Sequence, residues 1–224
     1  MFTKYGSDAE KPQKEYTEQS EIVHYILPSP MWDHSYKMFN YLEGRRLLPS
    51  LAVQHGWYPT VWKGEASVVI RSVSRLDTKL NWFQVRTMAE KSRWKDRYDS
   101  PMGKKWDALG VFKNPKTTKA HTPLVICEGP MDALAAVCLK EYEAICTFGV
   151  KLNNYQKDHL DHLTIDRTVM ILPDRDDLSF TGRIIESLSM AYDIRMVNVE
   201  DMPAKDFCEL EYHERRSLLE ETMK

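Results

Sequence analysis

The sequence predicts an α/β protein, α+β overall, whose C-terminal half is a parallel sheet flanked by helices. Two observations support this prediction. From residue 123 onward, short apolar runs alternate with segments of helical periodicity, and this order gives parallel strands joined by covering helices. Acidic residues directly follow two of the apolar runs, at the sheet edge where open α/β folds bind their ligands.

The N-terminal half is predicted to contain an arm and a small mixed subdomain. Residues 1–21 are polar and mixed in charge, and we expect a flexible N-terminal arm over residues 1–27. Residues 28–121 are predicted to form a helical and basic β subdomain, in which proline begins and glycine ends each helix and β-branched residues mark the strands. In chain order, the predicted elements are helices at 30–44 and 50–55, a hairpin of strands at 66–73 and 81–88, and an irregular basic stretch at 89–119.

The C-terminal half, residues 122–224, is predicted to be a separate α/β domain that closes with a helix. Its strands are apolar runs too short for helices, and its first helix carries apolar residues at helical spacing. The predicted strands are 123–127, 144–148, 168–173 and 194–199. The predicted helices are 130–140, one within 153–163, 181–192 and 211–223.

Composition excludes several classes of protein. No apolar stretch in the 224 residues approaches the roughly 20 residues that span a membrane. The N-terminus lacks the apolar core of a secretory signal. The 4 cysteines form no CxxC pair, so we expect reduced thiols, no zinc site and a cytoplasmic location.

The charge of the chain is unevenly distributed. Residues 63–119 contain 14 Lys and Arg against 6 Asp and Glu, a net charge of +8, which leaves −10 for the rest of the chain. Cations that hold backbone phosphates, beside carboxylates that hold a metal ion, are typical of enzymes that act on nucleic acids. Charge scattered over solvated faces is the alternative interpretation.

Three acidic clusters are the candidate metal ligands. Carboxylates that converge at one sheet edge repel one another unless a cation neutralises them, and hard oxygen ligands favour Mg²⁺ or Mn²⁺. The alternatives are that the aspartates cap helices, that Asp132 complements a helix dipole, and that Asp206 forms a surface pair with Lys205. The candidate metal ligands are Glu128, Asp132, Asp174, Asp176 and Asp206.

The same residues carry a resemblance to a known family. The segment Glu128-Gly-Pro-Met-Asp132, a strand-end glycine at 149 and the pair Asp174-x-Asp176 resemble the Toprim domain, which primases, topoisomerases and several nucleases share. The segments 41–45, 56–58 and 97–101 and the motif at Lys205-Asp206 are most similar to bacterial-type primases, here phage- or plasmid-like. The resemblance covers about residues 38–215. Cys208 departs from it, because an aspartate usually stands there.

The resemblance implies a DNA primase core that makes short RNA primers on single-stranded DNA from NTPs with Mg²⁺ or Mn²⁺. Asp174, Asp176 and Glu128 would be catalytic. Because no zinc-binding or helicase module is recognised, we expect a replicative helicase or a separate template-recognition subunit as partner. A Toprim nuclease that cuts DNA or RNA, and a non-catalytic replication accessory or single-strand-binding subunit, are the alternative functions.

Basic residues of the middle segment are the candidates for binding nucleotide or template. Aromatic rings among them suit a single strand, because rings stack on bases while cations hold phosphates. The alternatives are that the aromatics are core, that the lysines lie on a solvated loop, and that Arg183 lies on a helix surface. The candidates are Arg86, Lys95, Arg97, Lys104, Lys105 and Arg183.

Overall fold

The computed structural model describes residues 25–75, 81–90, 97–101, 107–113, 122–149, 151–175, 179–188, 191 and 193–224. None of the helices in these ranges is both long and apolar enough to cross a membrane. The chain builds two sheets, and the second has the predicted α/β character.

The N-terminal half places two helices against a four-stranded antiparallel sheet. A 3₁₀ turn at Trp32–His34 precedes the first helix. The sheet has the order β1-β2-β3-β4. The elements are α1 (Ser35–Gly44), α2 (Pro49–Gln54), β1 (Tyr58–Trp62), β2 (Glu65–Arg71), β3 (Phe83–Thr87) and β4 (Tyr98–Asp99).

The predicted hairpin is confirmed, because β2 and β3 pair antiparallel. Strand β1 was not predicted, and Pro59 explains why, since proline is tolerated only at sheet edges, where β1 lies. Helix α1 begins later than Pro30, so the predicted start is wrong. Residues 29–31 instead run beside β1, where Met31 N–H donates to the Pro59 carbonyl at 2.8 Å and the Ser29 carbonyl accepts from the Thr60 hydroxyl at 2.9 Å.

The C-terminal half is a five-stranded sheet of order β5-β7-β6-β8-β9. Strands β6 to β9 are parallel, as predicted, and only β5 runs antiparallel at one edge. The elements are β5 (Gly110–Phe112), β6 (Leu124–Cys127), α3 (Pro130–Cys138), β7 (Glu143–Cys146), α4 (Asn154–Leu163), β8 (Thr168–Leu172), α5 (Ser179–Ile185), β9 (Asp193–Met196) and α6 (Tyr212–Thr222), with a 3₁₀ turn at Phe207–Glu209.

Two C-terminal elements differ from the prediction. Strand β5 comes from the irregular basic stretch, so this sheet includes residues that precede 122; the domain division itself stays a prediction. Helix α5 is shorter than the predicted 181–192. At its end the Ser187 N–H donates to the Ile184 carbonyl at 2.8 Å, three residues back. The Ser187 hydroxyl donates to the Arg183 carbonyl at 2.9 Å, which the next helical N–H would otherwise bind.

One hydrophobic core joins the two sheets. It contains Trp57, Val68 and Trp82 from the first half and Val125 and Leu134 from the second. A second, smaller core lies on the other face of the C-terminal sheet, under α4 and α5. The shared core holds the carboxyl edge of the parallel strands against β3 and β4.

Candidate active site

A pocket of about 280 Å³ lies where the two halves meet. Its walls come from the end of α1, from β3 and β4, from the start of α3, and from the loops that follow β7 and β8 and precede the last 3₁₀ turn. The lining residues are Arg45, Gln84, Arg86, Tyr98, Glu128, Gly129, Pro130, Met131, Asp132, Gly149, Asp174, Asp206 and Cys208.

Four of the five predicted metal ligands share this pocket: Glu128, Asp132, Asp174 and Asp206. Glu128 follows β6 and Asp174 follows β8, and these two strands are hydrogen-bonded neighbours. Because parallel strands end at the same edge, residues 46 positions apart in sequence come together. The fifth, Asp176, lies outside the described residues.

Asp132 lies in the first turn of α3, which begins with Pro130 at its first position. Its Oδ1 accepts a hydrogen bond from the Cys208 backbone N–H at 2.8 Å. Burial, and next the charge of Asp174, raise the pKa of Asp132 to about 6, and Asp206 adds to the increase. The acids of the pocket are therefore close enough to repel one another, as the convergence predicted.

Gly149 closes the pocket on the side of β7. It has a φ of 116°, in the left-handed region that favours glycine, and it follows Phe148, which has a φ of 54°. Its N–H donates to the Glu128 carbonyl at 3.4 Å. This turn connects the backbone after β7 directly to the segment that carries Glu128.

Two arginines also line the pocket. The buried Arg86 guanidinium lies over the ring of Tyr98 at 4.5 Å, and its Nε donates to the Tyr41 hydroxyl. Arg45 lies over the Tyr41 ring at 5.4 Å. Because the tyrosines hold the guanidinium groups, the pocket contains fixed cations as well as carboxylates.

The structure gives the other predicted basic residues different surroundings. The exposed Arg97 donates to the carbonyls of Ala89 at 2.7 Å and Glu90 at 3.0 Å, so its guanidinium binds the backbone that follows β3. Arg183 lies on α5 and is not among the residues that line the pocket. Lys95, Lys104 and Lys105 lie outside the described residues.

Sequence reasoning missed Arg45 and Gln84 as pocket residues. Arg45 belongs to the segment 41–45 that resembles primases, so a signal for it was present. Gln84 alternates with Arg86 along β3, and its neighbour Arg86 was the residue singled out. Cys208, where an aspartate was expected, lies on the pocket wall with its Sγ 3.6 Å from Arg45 Nη1.

The oxygen donors fit a hard divalent cation, since four carboxylates line one pocket and, after burial, the charges of Asp174 and Asp206 raise the pKa of Asp132. Among the described residues, however, no three Asp, Glu, His or Cys side chains are grouped closely enough to hold an ion. A complete ligand set therefore needs a contribution from outside this part of the chain, and Asp176 is the candidate in the sequence.

Comparisons with known proteins identify similar folds. Residues 125–210 match the Toprim-like family model Toprim_2. No curated protein sequence matches the chain. The fold matches solved structures of primases at low sequence identity, so this likeness concerns the fold.

Three of these structures illustrate the likeness. The primase fragment of the bacteriophage T7 primase-helicase protein is 15% identical, with a TM-score of 0.54 over 82% of this chain and 73% of that one. The Aquifex aeolicus primase (zinc-binding and RNA polymerase domains) is 19% identical, with a TM-score of 0.59 over 82% of this chain and 55% of that one.

The third is the DnaG primase catalytic domain bound to single-stranded DNA. It is 14% identical, with a TM-score of 0.57 over 83% of this chain and 71% of that one. The predicted fold class is thereby confirmed. Residues 125–210 match a Toprim-like family model, and the chain has the fold of bacterial- and phage-type primase catalytic cores.

Proposed function

We propose that this chain is a DNA primase-like nucleotidyltransferase that synthesises short RNA primers on single-stranded DNA. The observation that carries the proposal is the pocket in which Glu128, Asp132, Asp174 and Asp206 face Arg45 and Arg86. Carboxylates suit a metal-bound triphosphate, and arginines suit its phosphate oxygens. The likeness to primases in fold supports the same reaction.

The chain's own residues would divide the work between the two walls. Arg86, fixed between Tyr41 and Tyr98, would hold phosphate oxygens of the incoming nucleotide or of the template. Arg45 would contribute a second cation from the end of α1. Asp132 would hold the segment that carries Asp206 through its bond to the Cys208 N–H, so that the acids stay together.

Glu128, Asp174, Asp176 and Asp206 would hold Mg²⁺ or Mn²⁺, with Asp132 in support. When bound, the metal would lower the pKa of the attacking 3′-hydroxyl and neutralise the departing pyrophosphate. Two cations are the common arrangement for this chemistry. The carboxylates and arginines would orient the nucleotide so that its α-phosphate lies in line with the hydroxyl.

The basic segment, including Lys95, Arg97, Lys104 and Lys105, would contribute cations toward template. Single-stranded DNA and NTPs are therefore the proposed substrates. We further propose a replicative helicase or a separate template-recognition subunit as partner, since one similar structure comes from a protein named a primase-helicase. We place this reaction in the cytoplasm of a bacterial or phage-infected cell.

Primer synthesis tests the proposal. The protein is incubated with single-stranded DNA, labelled NTPs and Mg²⁺ or Mn²⁺, and products are resolved on a gel. We expect short labelled RNA from the wild type and none from the Asp174→Ala/Asp176→Ala variant, because the metal ligands are removed. The control is Asp158→Ala, an exposed aspartate on α4, which should keep full activity.

Two results would contradict the proposal. Synthesis that persists in the double variant would show that the pocket is not the active site. Release of labelled DNA or RNA fragments without added NTPs would favour a nuclease, which uses the same carboxylate chemistry.

A non-catalytic accessory subunit is the second candidate. The observation that favours it is the buried Cys208, which contacts Arg45 where the resemblance leads one to expect an aspartate. In that case the protein would bind single-stranded DNA with an affinity that is indifferent to divalent metal and to Asp174→Ala. Fluorescence anisotropy with labelled single-stranded DNA, with and without EDTA, separates this candidate from the enzyme.

A further inference from the structure

A buried arginine on the C-terminal helix binds the backbone of two segments that line the pocket. Arg215, on α6, is 1% exposed. Its Nη1 donates to the Arg46 carbonyl at 3.1 Å, and its Nη2 donates to the carbonyls of Arg45 at 3.2 Å and Cys208 at 2.6 Å. Arg45 and Cys208 line the pocket, but Arg215 itself does not.

The first two bonds hold the end of α1. The last carbonyls of a helix have no partner within the helix, and a cation there also interacts favourably with the helix dipole. Arg45 is the C-cap of α1, and Arg46 follows with a φ of 57°. Arg215 therefore fixes the backbone from which the Arg45 side chain extends into the pocket.

The third bond holds the segment that carries Asp206. Cys208 is bonded at both backbone groups, because its N–H donates to Asp132 at 2.8 Å and its carbonyl accepts from Arg215. The Arg45 side chain reaches the same segment, at 3.6 Å from Cys208 Sγ and 3.6 Å from Glu209 Oε1. The Arg215 guanidinium therefore binds both the backbone of Arg45 and the segment that carries Asp206.

Packing alone does not explain a charge at this position. Among the described residues, Arg215 has no ion-pair partner and its Nε has no hydrogen-bond acceptor. Burying such a group costs free energy that an apolar side chain of similar size would not. An apolar side chain, however, could not donate hydrogen bonds to the three carbonyls, from two segments, that the Arg215 guanidinium binds.

We propose that Arg215 is a positioning residue, which holds Arg45 and the segment 206–208 in a fixed arrangement at the edge of the pocket. This inference rests on the proposed function, because its main readout is primer synthesis. It assigns a role to a residue on α6 that is not among the residues that line the pocket.

Substitution at 215 is the first test. We expect Arg215→Met to lower kcat for primer synthesis by about 10- to 100-fold, as small misplacements of reacting groups do. The KM for template should stay within about twofold. Arg215→Lys, with one point charge and fewer donors, should recover part of the loss. The matched control is Arg216→Met, since the neighbouring Arg216 is solvent-facing and pairs with Glu220 and Glu141.

A double-mutant cycle with Arg45→Met separates positioning from general stability. If Arg215 acts through Arg45, the double variant loses about as much activity as the worse single variant. All rates are measured well below the melting transition of each variant. Losses that multiply, or an unchanged kcat in a folded Arg215→Met protein, would overturn the proposal.

Amide hydrogen exchange tests the inference without any activity. In Arg215→Lys protein, the Cys208 amide should exchange at least about tenfold faster than in wild type, while β8 amides stay protected. Equal acceleration throughout the chain, or none at Cys208, would show that Arg215 does not hold the segment. A wild type without primer synthesis but with this local effect would reject the proposed function and keep the positioning role.

Discussion

At the residue scale, Asp132 combines a hydrogen bond with an unfavourable charge. Its Oδ1 accepts from the Cys208 N–H, which joins α3 to the segment that carries Asp206. Burial and the charge of Asp174 raise its pKa from 3.8 to about 6. The structural bond and the charge repulsion can be separated, because asparagine keeps the acceptor oxygen and removes the charge.

The raised pKa of Asp132 predicts how the stability of the metal-free protein depends on pH. Between about pH 4 and about pH 6 the folded state binds more protons at Asp132 than the unfolded state, so the free energy of unfolding falls as pH rises. The loss is on the order of 2–3 kcal/mol. Urea denaturation in EDTA across this range measures it.

Asp132→Asn is the control, because it cannot titrate. We expect the difference in unfolding free energy between wild type and this variant to change across the same pH range, with the variant gaining relative to wild type toward neutral pH. Parallel pH profiles of the two proteins would contradict the electrostatic interpretation.

Cys208 is predicted to be dispensable for metal binding. Burial, and next the charge of Asp132, raise the pKa of its thiol, so it remains neutral and cannot replace an aspartate as an anionic ligand. We expect Cys208→Ala to keep primer synthesis within about threefold of wild type. Asp206→Asn should lower it much more, and an equal loss in the two variants would show that the thiol takes part. Both are measured by the gel assay over a range of Mn²⁺ concentrations.

At the element scale, the edge strand β5 is held by an unusually close approach. A Cβ added to Gly110 would lie 2.5 Å from Cys146 Sγ and 2.9 Å from a Phe112 ring atom. β5 pairs with β7 at this position, Gly110 opposite Cys146. The strand can therefore pack at this position only if the residue has no side chain. Glycine meets this requirement, although it is not a residue that predicts a strand.

Gly110→Ala is predicted to destabilise the fold by about 1–3 kcal/mol, since overpacking forces the neighbouring side chains to move. The matched control is Gly182→Ala on α5, where an added Cβ would meet nothing within 4 Å. This variant should be slightly stabilised, because alanine favours a helix over glycine by roughly 0.5–1 kcal/mol. Urea denaturation of both proteins checks the prediction, and equal stabilities would contradict it.

At the scale of the whole molecule, the pocket depends on the packing of the two halves. Its cations come from α1 and β3, and its carboxylates come from the C-terminal sheet and its loops. The main core contains residues of both halves, including Trp57 and Trp82 with Val125 and Leu134. Separation of the halves would expose this core and remove β5 from the second sheet.

A fragment of residues 122–224 is therefore predicted to lack cooperative unfolding, although it contains the whole Toprim-like match at 125–210. Thermal unfolding followed by circular dichroism checks this. The control is a chain of residues 25–224, which keeps both halves and should melt in one transition. A cooperative transition of the short fragment would show that its core is sufficient by itself.

Much of the fold could be predicted from the sequence because its signals are local. Apolar runs such as 124–127 and 168–172 lie in parallel strands, and the alternation with helices implies their connection. Strand β1 gave no such signal, since its proline argues against a strand. Helix α5 ends earlier than predicted, where the Ser187 hydroxyl donates to the Arg183 carbonyl, and the spacing of apolar residues does not indicate such a bond.

The sequence by itself determined which residue types are available at the strand ends, and from this follow the acidic sheet edge and the Toprim resemblance. Only the tertiary structure decided that Arg45 and Arg86 line the same pocket as these acids, and that Arg215 binds the backbone of both Arg45 and Cys208. The physical reason is the distance along the sequence over which each kind of interaction acts. Strand and helix periodicity are properties of adjacent residues, whereas the pocket depends on contacts between segments as many as 170 positions apart.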